Sequence, residues 1–232
     1  GIDKPAAIVI EPIQGEGGTY IPPSGWLEAI TKIAQDNDIL VIFDEVQSGF
    51  YRTGKLFSFE HTRAVPDIIA MSKGVGGMGF PLSLIIYKKE LDVWEPGTHI
   101  GTFRGNQLAM AAGTAAMQFV KEHKIGEYVQ ELGHKMLSRL QAIGSKSLYI
   151  GEVRGIGLMF GIEYVKDKLN KEPFAEMATK VKKECYKNGL IVESGGYYNN
   201  VIRFLPALIT TQSIAENGLA IFERANKLAE QS

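Results

Sequence analysis

Two short apolar runs, each ending in a residue suited to chemistry, constrain this chain more than anything else in it. Ile39-Leu40-Val41-Ile42-Phe43 stops at Asp44-Glu45, and Ile68-Ile69-Ala70-Met71 stops at Ser72-Lys73. Runs rich in β-branched residues and bounded by polar or turn residues read as strands buried on both faces of a parallel sheet. In an open α/β sheet the ligand lies beyond the carboxyl ends of the strands. Asp44 and Lys73 both fall at that edge. A third run, Ala6 to Ile10, ends at Glu11-Pro12 and enters a flexible Gly15-Glu16-Gly17-Gly18 loop. Between it and Asp44, Trp26, Leu27, Ile30, Ile33 and Ala34 recur at helical spacing behind Ser24, a suitable N-cap. Strand, helix, strand makes a βαβ unit, so the fold class is α/β.

After Lys73 comes a glycine-rich link and a fourth apolar run, residues 82–87. A parallel return needs about a dozen residues or more, usually helical. The link is shorter, which predicts that 82–87 runs antiparallel. A small-residue helix starts near Asn106, and an amphipathic one covers 125–143. A boundary near Lys121 divides the chain into 1–120, mostly parallel sheet, and 121–232, an α+β domain. In the latter, strands at 149–153, 157–164, 190–193 and 201–205 alternate with helices at 174–188 and from Thr211.

The 25 basic and 26 acidic residues leave a formal net charge of -1 with no basic block. That gives no sign of a nucleic-acid or anionic-lipid surface. Cys185 is the only cysteine, which excludes a disulfide framework and fits a reducing cytoplasm. The four histidines show no metal-ligand spacing, so no metal site is expected. The apolar runs are too short to span a bilayer as helices. The chain opens on Gly1 with a core-type strand almost at once. It therefore reads as the later part of a longer protein.

A carboxylate and an amine at one sheet edge suit pyridoxal phosphate chemistry. Lys73 would form the Schiff base, and Asp44 would keep the pyridine nitrogen protonated. Gly74, Gly76 and Gly77 let the backbone approach a planar group closely. A lysine ending a strand also serves as a solvated terminus, and an aspartate there as a cap. The residues alone leave both readings open. Gly74, Gly76 and Gly79 spell GxGxxG, but Pro81 and a strand follow where a helix should open, so this is no dinucleotide site. Thr102, ahead of the helix from Asn106, is either a simple cap or a phosphate ligand. Arg203, among apolar neighbours, is either a structural ion pair or a bidentate carboxylate receptor.

Taken together, Glu11-Pro-Ile-Gln-Gly-Glu-Gly-Gly18, Asp44-Glu-Val-Gln-Ser-Gly49, Arg52-Thr-Gly54, Ser72-Lys-Gly74, Gly101-Thr102 and Arg203-Phe-Leu-Pro206 resemble the class III aminotransferases. The resemblance covers essentially the whole chain. It implies a fold type I pyridoxal-phosphate-dependent transferase: part of the large, mostly parallel-sheet domain plus the small C-terminal α+β domain. Lys73 is similar to the lysine that holds the cofactor and shuttles the substrate proton. Asp44 resembles the ring-nitrogen partner, and Gln47 the glutamine at the phenolic oxygen. Thr102 resembles the threonine that reaches the phosphate of a neighbouring subunit, implying a homodimer with shared sites. Arg203 is similar to the arginine that binds the α-carboxylate of 2-oxoglutarate or glutamate. Glu16 resembles the glutamate that pairs with this arginine when an ω-amino donor is bound.

Within the family, Trp94-Glu-Pro-Gly97 followed by Gly101-Thr-Phe-Arg-Gly-Asn106 looks most like the enzymes that exchange the ω-amino group of L-2,4-diaminobutyrate with 2-oxoglutarate. Ornithine, acetylornithine and 4-aminobutyrate aminotransferases, and racemases or epimerases on the same scaffold, are the enzymatic alternatives. A non-catalytic truncated remnant is the other. Tyr51, Met78 and Ala207 depart from the family pattern. The phosphate-binding turn and the ring-stacking aromatic are expected upstream of this chain.

Overall fold

Four apolar runs, β1 (Ala7–Ile10), β2 (Leu40–Asp44), β3 (Ile68–Met71) and β4 (Leu84–Tyr87), pair side by side in that order. The first three are parallel, with Phe43 beside Ile69 and Asp44 beside Ala70. β4 returns antiparallel, Ile69 facing Ile86, as the short link requires. The computed structural model describes residues 3–231.

The chain forms two compact units. The first takes in residues up to Pro12, Pro22–Tyr51 and Lys55–Lys124. The second takes in Ile13–Ile21, Arg52–Gly54 and the chain from Ile125 on.

In the first unit, helix α1 (Trp26–Gln35) lays Leu27 and Ala34 against Val41 and Phe43, with Ile8, Ile10 and Phe59 packed around them. Burial along β2 and β3 alternates, with Val41, Phe43, Ile69 and Met71 buried and their neighbours half-buried. The expectation of strands buried on both faces is thus corrected. Successive strand residues point to opposite faces, and α1 covers one of them. The cap of α1 is also corrected. Gly25, at φ 80, precedes the helix with no side-chain cap bond, so Ser24 does not cap it. Helix α2 (Gln107–Glu122) starts behind Asn106, whose side chain accepts the Ala109 N–H at 3.0 Å.

The second unit has its own sheet, in the order β5 (Ile150–Ile156), β6 (Met159–Tyr164), β8 (Val201–Phe204), β7 (Glu193–Gly195), all antiparallel. Helices α3 (Ile125–Lys146), α4 (Ala175–Lys187) and α5 (Gln212–Gln231) complete it. Leu158, Met159, Phe160, Ile162 and Ile202 are fully buried. Phe204 packs edge-on to Phe222 at 5.0 Å. The buried Tyr164 hydroxyl donates to Asn226 at 2.8 Å. The sequence places a strand at 190–193; the strand is Glu193–Gly195 instead.

Cys185 lies in this core on α4, fully buried, and burial pushes its thiol up to about 12. Only the thiolate reacts readily. Alkylation at pH 8 is therefore expected to label no thiol in the folded protein and one per chain in denaturant. Thiol titration with and without denaturant checks this.

Candidate active site

Asp44 closes β2 and Lys73 lies three residues past Ala70, the β3 residue beside Asp44. Adjacent parallel strands thus deliver the carboxylate and the amine to the same carboxyl edge. Asp44 is half-buried, and its Oδ1 accepts the Val46 N–H at 2.9 Å, which fixes the carboxylate at the start of the loop bearing Gln47. Lys73 is exposed and has φ 52, the left-handed region that L-residues adopt at a cost of about 1–2 kcal/mol. Such strain persists only where the surroundings enforce it.

Here they do. Residues Lys73–Gly76 form a single 3-10 turn, where a non-helical loop is expected from the glycines. Ser72 Oγ donates to the Leu82 carbonyl at 3.0 Å, tying the turn's start to the segment that leads into β4. On one side a Cβ at Gly74 would stand 3.0 Å from the Phe50 ring. On the other, a Cβ at Gly113 would stand 2.7 Å from the Val75 carbonyl. The small residues of α2 therefore exist to let the helix pack against the backbone that carries Lys73. Tyr51, a departure from the family pattern, has φ 63. That conformation explains why glycine suits the position.

Glu45, which sequence reasoning passed over, is 1% exposed. Its carboxylate accepts the hydroxyls of Ser48 (2.7 Å) and Ser58 (2.8 Å) and the Phe59 N–H (3.0 Å). These bonds pin the 45–49 loop, and with it Gln47, to the short 3-10 turn Ser58–His61. Burial raises the Glu45 pKa, and the hydroxyl and amide donors lower it less. A carboxyl whose folded pKa is raised stabilises fully below its unfolded pKa and loses that contribution as pH rises through the folded value. The unfolding free energy of wild type minus that of Glu45→Gln is therefore expected to fall as pH rises from about 4 toward neutrality. Urea melts across that range check it.

In the second unit, Arg203 is 2% exposed, and its Nη2 donates to Glu16 Oε1 and to Glu193 Oε2, each at 2.7 Å. Glu193 stands directly opposite Arg203 in the β7–β8 register. The Glu16 loop is clamped from several sides. Gly196 N–H bonds the Glu16 carbonyl at 2.9 Å, and Arg154 reaches the Gly18 carbonyl through Nε at 3.0 Å and Nη2 at 2.8 Å. Arg154 also pairs with Glu163 at 2.6 Å and lies 3.8 Å from the centroid of the Tyr20 ring, whose hydroxyl donates to Glu163 at 2.9 Å. Burial and then that hydrogen bond raise the Tyr20 pKa.

Arg52 of the Arg52-Thr-Gly54 motif is structural. It donates to the Leu158 and Pro206 carbonyls, and burial lowers it to about 10, still charged at neutral pH. Thr102 lies in an exposed turn closed by Arg104 N–H to the Gly101 carbonyl at 3.1 Å. Asn106, not Thr102, caps α2.

A parallel sheet edge carrying an aspartate and a strained lysine in the first unit, with an antiparallel sheet in the second, makes up the fold type I α/β architecture of the transaminases. The chain belongs to the class-III aminotransferase family, which residues 2–225 match. That family uses pyridoxal phosphate. Across 97% of this chain and 51% of the relative, the sequence is 42% identical to the diaminobutyrate–2-oxoglutarate aminotransferase of Haemophilus influenzae. It is 40% identical to the protein of the same name from Rhizobium meliloti, across 99% of this chain and 51% of that one. A solved transaminase from a marine Virgibacillus superposes with a TM-score of 0.91 at 29% identity, covering 97% of this chain and 53% of that one. The chain spans about half the length of the curated relatives it matches.

Proposed function

We propose that the protein containing this chain transfers the ω-amino group of L-2,4-diaminobutyrate to 2-oxoglutarate, giving glutamate and aspartate semialdehyde. The observation that carries the reading is Lys73, held in a strained backbone state beside the Asp44 strand end. Relatives at about 40% identity bear the name of that reaction. The donor set fits pyridoxal phosphate: an exposed amine, a half-buried carboxylate one strand away and a glycine-bounded turn. When bound, that cofactor supplies a carbonyl carbon and an electron-withdrawing ring.

The chain's own residues do the rest. Lys73 Nζ would hold the cofactor and would serve as the base that moves the substrate proton. The Asp44 carboxylate would keep the ring nitrogen protonated, and Gln47 would help to hold the ring at its phenolic oxygen. Thr102 contributes to a phosphate site in a homodimer. Arg203 takes the α-carboxylate of glutamate or 2-oxoglutarate through its planar fork. Glu16 neutralises Arg203 when the donor lacks a carboxylate there. Among the described residues no helix is long and apolar enough to cross a membrane, and the single buried thiol suits a reducing cytoplasm.

The test is a ping-pong assay of the purified protein with both substrates. Glutamate formation that requires both diaminobutyrate and 2-oxoglutarate is the expected result. Racemisation of an amino acid without any keto acid, or no cofactor uptake at all, would replace this reading with the epimerase or the remnant.

A further inference from the structure

We infer that Glu193 is a specificity-determining residue: a second internal counter-ion of Arg203 that weakens the hold of this arginine on a substrate dicarboxylate. The inference rests on the assignment of Arg203 as the carboxylate receptor.

The two carboxylates on Arg203 are not equivalent. Both accept from the same Nη2 at 2.7 Å. Glu16, however, sits on a loop with its side chain 73% exposed, whereas Glu193 projects from a strand in register with Arg203 itself. The Glu16 backbone is clamped, but its exposed side chain can rotate aside when a substrate arrives. A cross-strand neighbour is held in place by the ladder, and opposite-charge pairs across strands attract.

Packing reinforces the difference. A Cβ at Gly195 would lie 2.8 Å from Arg203 Nε and 2.8 Å from the Glu16 carbonyl oxygen. The 193–196 segment is thus pressed against both partners, and its glycine permits the approach. With Glu16 displaced, Glu193 still offsets the guanidinium charge, so an incoming α-carboxylate meets an arginine already shared. The side chain of Glu193 is 58% exposed, and solvent screens the pair. The effect is therefore a graded one on affinity, not an all-or-none gate. It favours the half-reaction whose amino donor presents no carboxylate to Arg203, and it eases release of glutamate after the other.

The test uses the purified protein loaded with pyridoxal phosphate, and glutarate as a dicarboxylate that cannot react. Calorimetry gives glutarate affinity for wild type, Glu193→Gln, Glu193→Asp and Arg203→Leu; steady-state kinetics gives KM for both substrates. Glu193→Gln is expected to bind glutarate about fivefold more tightly than wild type. Its KM for 2-oxoglutarate should fall relative to that for the diamine, and Glu193→Asp should restore the wild-type ratio. Glutarate affinity unchanged or weakened in Glu193→Gln overturns the inference, as does a parallel change in both KM values. Glutarate binding that Arg203→Leu leaves intact would instead remove the receptor assignment itself, so the two failures are separable.

Discussion

Lys73→Ala is expected to abolish the visible absorption of the cofactor-loaded protein and to cut transamination by about a thousandfold or more. It removes the covalent anchor and the proton carrier together, and positioned acid–base catalysis alone contributes on the order of 10²–10⁴. The folded state should survive, because the residue is exposed and its conformation is imposed by the surrounding turn. A companion variant separates the chemistry from the strain. Lys73→Gly lacks the amine equally, yet glycine adopts the observed φ of 52 without steric cost. It should therefore be about 1 kcal/mol more stable than Lys73→Ala. Absorbance, turnover and urea melts of both variants check this. Equal stability of the two would mean that Lys73 is not held in the left-handed conformation.

Arg203→Leu is expected to raise KM for 2-oxoglutarate about a hundredfold. Truncating one member of a hydrogen-bonded charge pair costs about 2–5 kcal/mol of binding, and 1.4 kcal/mol corresponds to about tenfold. Such a loss is ordinarily confounded by unfolding, because the abandoned partner is left buried and charged. Here it is not. Glu16 and Glu193 are 73% and 58% exposed, so water can take over both carboxylates when the guanidinium is removed. Kinetics with each substrate, alongside a thermal melt, measures the effect. An unchanged KM for the keto acid would exclude Arg203 as its receptor.

The strands at the functional edge were legible because their signal is local. A short β-branched run ending in a polar residue says strand and says where it stops, and a link too short for a crossover fixed the antiparallel direction of β4. Asn106 announced the start of α2 in the same way. The parts that escaped depend on residues far apart in the chain. Arg154 and Gly18 are 136 positions apart, yet the side chain of one closes the loop of the other. Nothing in the periodicity near residues 13–21 or 52–54 marks them as part of the second unit. Glu193 was invisible for a related reason: its pairing with Arg203 depends on which strands lie side by side, and the strand that bears it runs Glu193–Gly195, not 190–193. Glu45 sits in a recognisable motif, but its burial depends on Ser58 and Phe59, supplied by a turn the sequence does not advertise.

Borohydride reduction fixes pyridoxal phosphate to whichever amine carries it, and peptide mass spectrometry then names that amine. One phosphopyridoxyl group per chain on Lys73 is the expected result. The same added mass on Lys55, Lys88 or another lysine, or no added mass after incubation with excess cofactor, would contradict the assignment on which the rest depends.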